Sequence, residues 1–247
     1  MLWTGGPLSH LSALHVAGLV SAPDGPVHVT VPVARYPRGG SRVIAHRSDR
    51  QLTTVRYGQI EAIPPERSTV DAWSWAHSPG RNPRAANEAP LVRQGVIEGV
   101  RSRSLRTVAL RRESDRRRRH AGRSALAALL DLIDGGCESE LEVWGALHVL
   151  PGPPHVAAPV QQYPLRLADG RAIRLDAAYP EARVAVELDG AAFHGSRDAR
   201  ERDLRRDTAL ATLGWVVLRF SYARLTADPE GCRREIEAVV RGRMGNR

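Results

Sequence analysis

Short runs in which apolar and polar residues alternate predict strands in both halves of the chain. In the first half, "PVHVTVPV" (26–33), "SRVIAHRS" (41–48) and "LTTVRYG" (52–58) keep a period of two between polar turns, which predicts an antiparallel sheet. Ahead of them, "PLSHLSALHVAGL" (7–19) carries Leu11, Leu14, His15 and Leu19 at helical spacing, with Ser9 or Ser12 as the cap. Behind them, "STVDAWSWAHS" (68–78) and the stretch 87–112 change to the helical period and predict two or three helices. The pattern describes an α+β domain over residues 1–123.

The second half repeats the exercise with a clearer order. "SALAALLDLIDGG" (124–136) is helical with a Gly-Gly stop, and "ESELEVWGALHVL" (138–150) puts Leu141, Trp144 and His148 on one stripe, where Gly145 leaves room for close packing. "VQQYPLRL" (160–167), "AIRLDAAY" (172–179) and "RVAVELD" (183–189) are strands joined by turn residues, and a charged helix spans 198–213. "WVVLRFSY" (215–222) is a fourth strand and "PEGCRREIEAVVRGR" (229–243) a closing helix. The order αβββαβα over 124–247 predicts an α/β domain with a mixed central sheet flanked by helices.

Between the halves, "RRESDRRRRHAGR" (111–123) holds seven arginines and two acids. It reads as an Arg-rich linker that is either simply solvated or a phosphate-facing patch, with Arg116, Arg117, Arg118 and Arg119 as the candidates. Charge gives that patch a context: 36 Lys+Arg against 27 Asp+Glu leave a formal +9, and every one of those cations is arginine. An acidic partner, DNA first, is the expectation. The two cysteines form no C-x-x-C pair, so no structural zinc is expected. No window has the roughly 18 to 20 apolar residues of a membrane span, and no apolar leader follows a charged N-terminus. A soluble cytoplasmic protein without membrane contact is expected.

Candidate chemistry gathers in "RVAVELDGAAFHG" (183–195). Alternation sends Val184, Val186 and Leu188 to one face and Ala185, Glu187 and Asp189 to the other. If the preceding turn centres between Glu181 and Ala182, Asp176 stands directly opposite Glu187 with Asp189 on the diagonal. Carboxylates packed that closely repel unless a proton or a cation intervenes, and hard oxygen ligands suit Mg²⁺ or Mn²⁺. His194, past the strand end, is placed to give a proton to a leaving oxygen or to orient water. The plainer alternative pairs Asp176 with Arg174 or Arg183 and Glu187 with Arg219.

The stretch "RLDAAYPEARVAVELDGAAFHGSRDARERDLRRDTALATLGWVVLRFS" (174–221) resembles the domain of unknown function 559, a branch of the PD-(D/E)xK nucleases similar to very-short-patch repair endonucleases. The resemblance implies a restriction-endonuclease-like fold in which Asp176 and Glu187 bind the catalytic magnesium. Asp189 stands where general PD-(D/E)xK nucleases carry lysine, and this chain has no lysine. "GAAFH" resembles the repair enzymes' histidine run, which implies His194 as the substitute. "ESELE" resembles the family's S-x-x-E on the first helix, which implies a catalytic Glu142 with Gln162 near the site. Arg202, Arg205 and Arg206 match the family's RD..RD pattern, and Arg202 and Arg206 are candidate phosphate contacts. The cysteines of the repair enzymes' zinc site are absent, so mismatch specificity is not implied.

"SHLSALHVAGL" and the "VHVTVP" strand resemble, more weakly, the middle of AbiEi-type antitoxins, which implies a toxin or other protein partner. Those proteins begin with a winged helix, for which the residues before Ser9 leave no room. Together the features predict a metal-dependent DNA endonuclease of defence or repair, with a non-catalytic DNA-binding regulator on a nuclease scaffold as the alternative.

Overall fold

The computed structural model describes residues 5–36, 42–117, 119–137, 139–150, 156–189 and 197–245, with backbone alone at 189, 197–200, 202 and 203. The chain divides into two compact units, Met1–Asp131 and Leu132–Arg247.

In the first unit, β1 (Val27–Pro32) and β2 (Val43–Ser48) pair in parallel, with Val27 against Val43 and Pro32 against Ser48. This corrects the expected antiparallel sheet: alternation fixes which face is buried but carries no information about strand direction. A hairpin of β3 (Val55–Tyr57) and β4 (Ile60–Ala62) turns at Gly58, whose φ of 61° needs glycine. Strand β4 has too few residues to show an alternation in the sequence. Leu8 forms single bridges to Val29 and to Ala62 and so touches both strand pairs.

Five helices follow or precede these strands: α1 (His10–Val16), α2 (Pro65–Ala76), α3 (Ala85–Arg101), α4 (Thr107–Arg116) and α5 (Arg123–Asp134). Part of the Arg-rich run is helical. Residues up to Arg116 continue α4, where Leu110, Glu113 and Ser114 are buried, and the arginines are used as ties. Arg117 binds Asp71 of α2, Arg123 reaches Asp115 at 2.7 Å, and Arg111 reaches Asp131 of α5 at 2.7 Å. The division into units falls at Asp131, within ten residues of the boundary expected near 124.

The second unit carries α6 (Glu140–His148), then strands β5 (Val160–Arg166), β6 (Ala172–Tyr179), β7 (Val184–Asp189) and β8 (Val216–Ser221) in a sheet of order β5-β6-β7-β8. β5, β6 and β7 run antiparallel, while β8 returns parallel to β7 after the crossover helix α7 (Arg197–Thr212). The single closing helix expected from the sequence is preceded by a short one, α8 (Tyr222–Ala227), separated from α9 (Pro229–Met244) at Asp228. Pro229 disfavours helical backbone at the residue before it, and the Asp228 side chain instead accepts from the Gly231 amide to start α9.

Both faces of this sheet are covered. Val184, Val186 and Leu188 pack with Leu141 of α6, Leu225 of α8 and Ile236 and Val240 of α9, whereas Ala178 and Ala185 pack with Leu210 of α7 and Trp215. Full burial of side chains such as Leu225 and Ile236 contributes roughly 1.5–3 kcal/mol each. Trp215 lies in this core beside Tyr163, as a packing residue. Among the described residues no helix is long and apolar enough to cross a membrane.

Candidate active site

The turn after β6 sets the register Ala177↔Val186, Ala178↔Ala185 and Tyr179↔Val184. The ladder ends there, one residue short of Asp176 on β6 and of Glu187 on β7. The Asp176 carboxylate takes the place of a backbone carbonyl: its Oδ2 accepts from the Leu188 amide at 2.8 Å. Where the ladder ends, the Asp176 carboxylate lies near enough for its charge to act on Glu187. Glu187 is buried, with 9% of its surface exposed.

Arg206 of α7 lies over Glu187. Its Nη2 donates to Oε1 at 2.9 Å and its Nη1 to Oε2 at 3.3 Å, while Nη2 also reaches the Arg174 carbonyl at 2.9 Å. The guanidinium expected to face phosphate is here bonded to the acid. The alternative partner Arg219 binds Asp207 at 2.6 Å, and Arg183 donates to the Leu213 carbonyl.

Burial pushes the Glu187 carboxyl up to about 7, with the Asp176 charge adding to the rise and Arg206 and Arg219 opposing it. Burial also raises Asp176, against the Leu188 hydrogen bond, and the charge of Glu142 raises it further.

Glu142 is held by the N-cap of α6: Ser139 Oγ donates to Glu142 Oε1 at 2.9 Å and accepts from the Glu142 amide at 3.1 Å. Gln162 of β5 donates from Nε2 to Glu142 Oε2 at 3.1 Å. Its backbone has φ 51°, in the left-handed region, and Gly136 gives it space, since a Cβ there would lie 2.7 Å from Gln162 Cγ. Gln162 Oε1 is buried with no hydrogen-bond partner among the described residues. That orphan acceptor and the clamp of Arg206 are the two features of the site that the sequence reading missed. The RD..RD spacing on α7 was the available signal for Arg206; nothing local signals the unpaired oxygen.

Asp189 closes β7 opposite Ser221, with its side chain outside the described residues. His194, Arg118 and the Arg202 side chain also lie outside them. Arg205 pairs with Glu201 at 3.2 Å, Arg116 with Glu113 at 3.4 Å and Arg117 with Asp71, while Arg119 is exposed.

The second unit is a mixed sheet flanked by helices, an architecture compatible with a nuclease-type scaffold. In agreement, residues 164–240 match the model of the restriction-endonuclease-like family REase_MTES_1575. The chain is also similar to two uncharacterized proteins of Mycobacterium tuberculosis, MT2308 of strain CDC 1551 / Oshkosh and Rv2248 of strain H37Rv. Each is 33% identical over 104 residues, covering 39% of this chain. The match spans 36% of the length of those relatives. No solved structure matches the chain significantly.

Proposed function

We propose that the second unit is a metal-dependent DNA endonuclease hydrolysing phosphodiester bonds. The observation that carries this reading is the proximity of Asp176 and Glu187 beyond the last rung of the β6–β7 ladder, on a scaffold of nuclease type. The donor set suits Mg²⁺ or Mn²⁺, since both groups offer hard carboxylate oxygens. Asp176 and Glu187 would hold it. Such an ion, when bound, lowers the pKa of a coordinated water and polarises a phosphoryl oxygen.

The remaining steps belong to the chain. Asp176, bonded to the Leu188 amide, fixes the spacing of the two strands at the end of the ladder. Glu142, positioned by Ser139 and Gln162, adds negative charge beside Asp176. Arg206 supplies the cation that lysine would supply in a PD-(D/E)xK site, exchanging Glu187 for the scissile phosphate and stabilising its developing charge. His194 and Asp189 remain the proposed proton donor and the third acid.

A second reading, a non-catalytic DNA-binding regulator, is favoured by the same arginine, because its forked hydrogen bond already neutralises Glu187 without a metal. Cleavage of single-stranded, duplex, nicked and mismatched DNA with Mg²⁺ or Mn²⁺ separates the two. The endonuclease predicts cutting that disappears in Asp176→Asn and Glu187→Gln while the circular dichroism spectrum is kept. Absence of cutting on every substrate, with DNA affinity that falls steeply with salt and ignores divalent metal, would sink it in favour of the regulator.

A further inference from the structure

Three histidines from three separate elements of the first unit cluster together, His10 and His28 buried and His46 partly so. His10 begins α1, His28 lies on β1 and His46 on β2. The parallel register sets Ile44 against His28 and Thr30 against His46, so the two strand histidines point to the same face two residues apart. His10 is brought onto them by a backbone with φ 52°, a conformation that costs a non-glycine residue on the order of 1 kcal/mol or more. The rings of His10 and His46 stack with centroids 3.5 Å apart, and Trp75 packs edge-on against His46 at 5.0 Å.

The nitrogens lie close enough to converge on one ion once the His10 ring turns out of its stack on His46. One from each ring lies within 4.8 Å of the other two. His28 Nδ1 and His46 Nε2 are 2.9 Å apart, close to the roughly 3.3 Å that separates two ligands of a tetrahedral ion with bonds of about 2.0–2.1 Å. Ser9 Oγ sits 2.9 Å from His10 Nδ1, a contact that orients the ring and leaves Nε2 as its ligand atom. Burial holds the imidazoles in their neutral form, with His28 lowered to about 4 and His46 to about 3.

His10 and His46 also line a cavity of about 430 Å³ that Arg67, Arg117 and Asp71 share. Asp71 binds Arg117 and lies 3.7 Å from Arg67, so part of the cationic charge is offset. Three imidazoles with one side toward a cavity match a metal centre that keeps an open position rather than a closed structural one. The surrounding guanidiniums favour an anion as the ligand there.

We propose that His10, His28 and His46 bind one divalent transition-metal ion of the zinc class, with its free coordination position turned to the arginine-lined cavity. This centre is separate from the acid pair of the second unit and does not depend on it.

The test uses the full chain, stripped with chelator and titrated with Co²⁺ and then Zn²⁺. The expected result is one Co²⁺ per chain at this site, with the strong visible absorption of a four- or five-coordinate ion, quenching of tryptophan fluorescence through Trp75, and displacement by Zn²⁺. His28→Gln and His46→Gln should each weaken binding at least about ten-fold, whereas Glu187→Gln should leave the spectrum intact. Circular dichroism checks that the histidine variants fold. Should they unfold, the wild-type spectrum and the Glu187→Gln control still decide. A pale six-coordinate spectrum, no saturable binding, or loss of the signal in Glu187→Gln would overturn the proposal and leave the trio a hydrogen-bonded stack.

Discussion

Arg206 grips Glu187 across the gap between α7 and β7 with two hydrogen bonds, at 2.9 and 3.3 Å, and pins itself to the Arg174 carbonyl as well. The arrangement joins the crossover helix to the sheet where the β6–β7 ladder ends. It also means that a buried carboxylate has its counter-charge supplied by the chain.

Replacing Arg206 with Gln leaves that carboxylate buried without its partner. The arginine side chain is 29% exposed, so water screens part of the loss. We expect destabilisation of about 1–3 kcal/mol, smaller than for a fully buried pair, read from urea unfolding in chelator. Added Mg²⁺ should recover part of it, and an unchanged midpoint would mean that the forked contact contributes nothing.

Glu187 should make the protein less stable as pH rises. Its carboxyl titrates near 4.5 when unfolded and at about 7 when folded. Between those values the folded chain holds more protons than the unfolded one, so its contribution is complete below about 4.5 and is lost as pH rises through about 7. The size is on the order of 3 kcal/mol at most. The buried histidines act in the opposite sense, because their lowered values favour folding at higher pH. The Glu187 share is therefore read as the difference between wild type and Glu187→Gln in chelator. Parallel pH profiles for the two proteins would contradict it.

Gly145→Ala should loosen the second unit. A Cβ there would lie 2.5 Å from Leu188 Cδ1 and 3.4 Å from Cδ2, inside the core between α6 and β7. Leu188 can shift its end, but its neighbours are packed, and overpacking of this kind costs about 1–3 kcal/mol. Because the Leu188 amide is bonded to Asp176, the same substitution should lower DNA cleavage. A thermal midpoint equal to wild type would show that the contact yields freely.

Neither cysteine should react with an alkylating reagent while the protein is folded. Burial pushes the Cys137 thiol up to about 12, and the charges of Glu142 and Asp176 push in the same direction. Cys232 is buried and also raised, by burial first. Mass spectrometry after brief iodoacetamide treatment should find no label in native protein and two labels in denaturant. Rapid native labelling of Cys137 would place its thiol in contact with solvent.

The second unit was legible because its elements are long enough for a pattern to repeat and its connections are turns. The β6–β7 register follows from turn chemistry at Pro180 to Arg183, and a register fixes every later pair on both strands. Gly145 was legible for a similar reason, as a lone glycine on an apolar helical stripe. In the first unit the same alternation marked β1 and β2 but misjudged their direction, since a parallel and an antiparallel strand carry the same apolar face.

The chain by itself determined which residues are acidic, apolar or able to turn, and through these the strands, the helices and the proximity of Asp176 to Glu187. Periodicity and turn geometry act over a few neighbouring residues, so they can be read in order along the chain. Only the tertiary structure decided that Arg206 would settle on Glu187, that Gln162 would bury an unpaired oxygen, and that His10, His28 and His46 would cluster. Those pairings join residues far apart in sequence, and they are selected by packing and by the cost of burying charge, neither of which leaves a local trace.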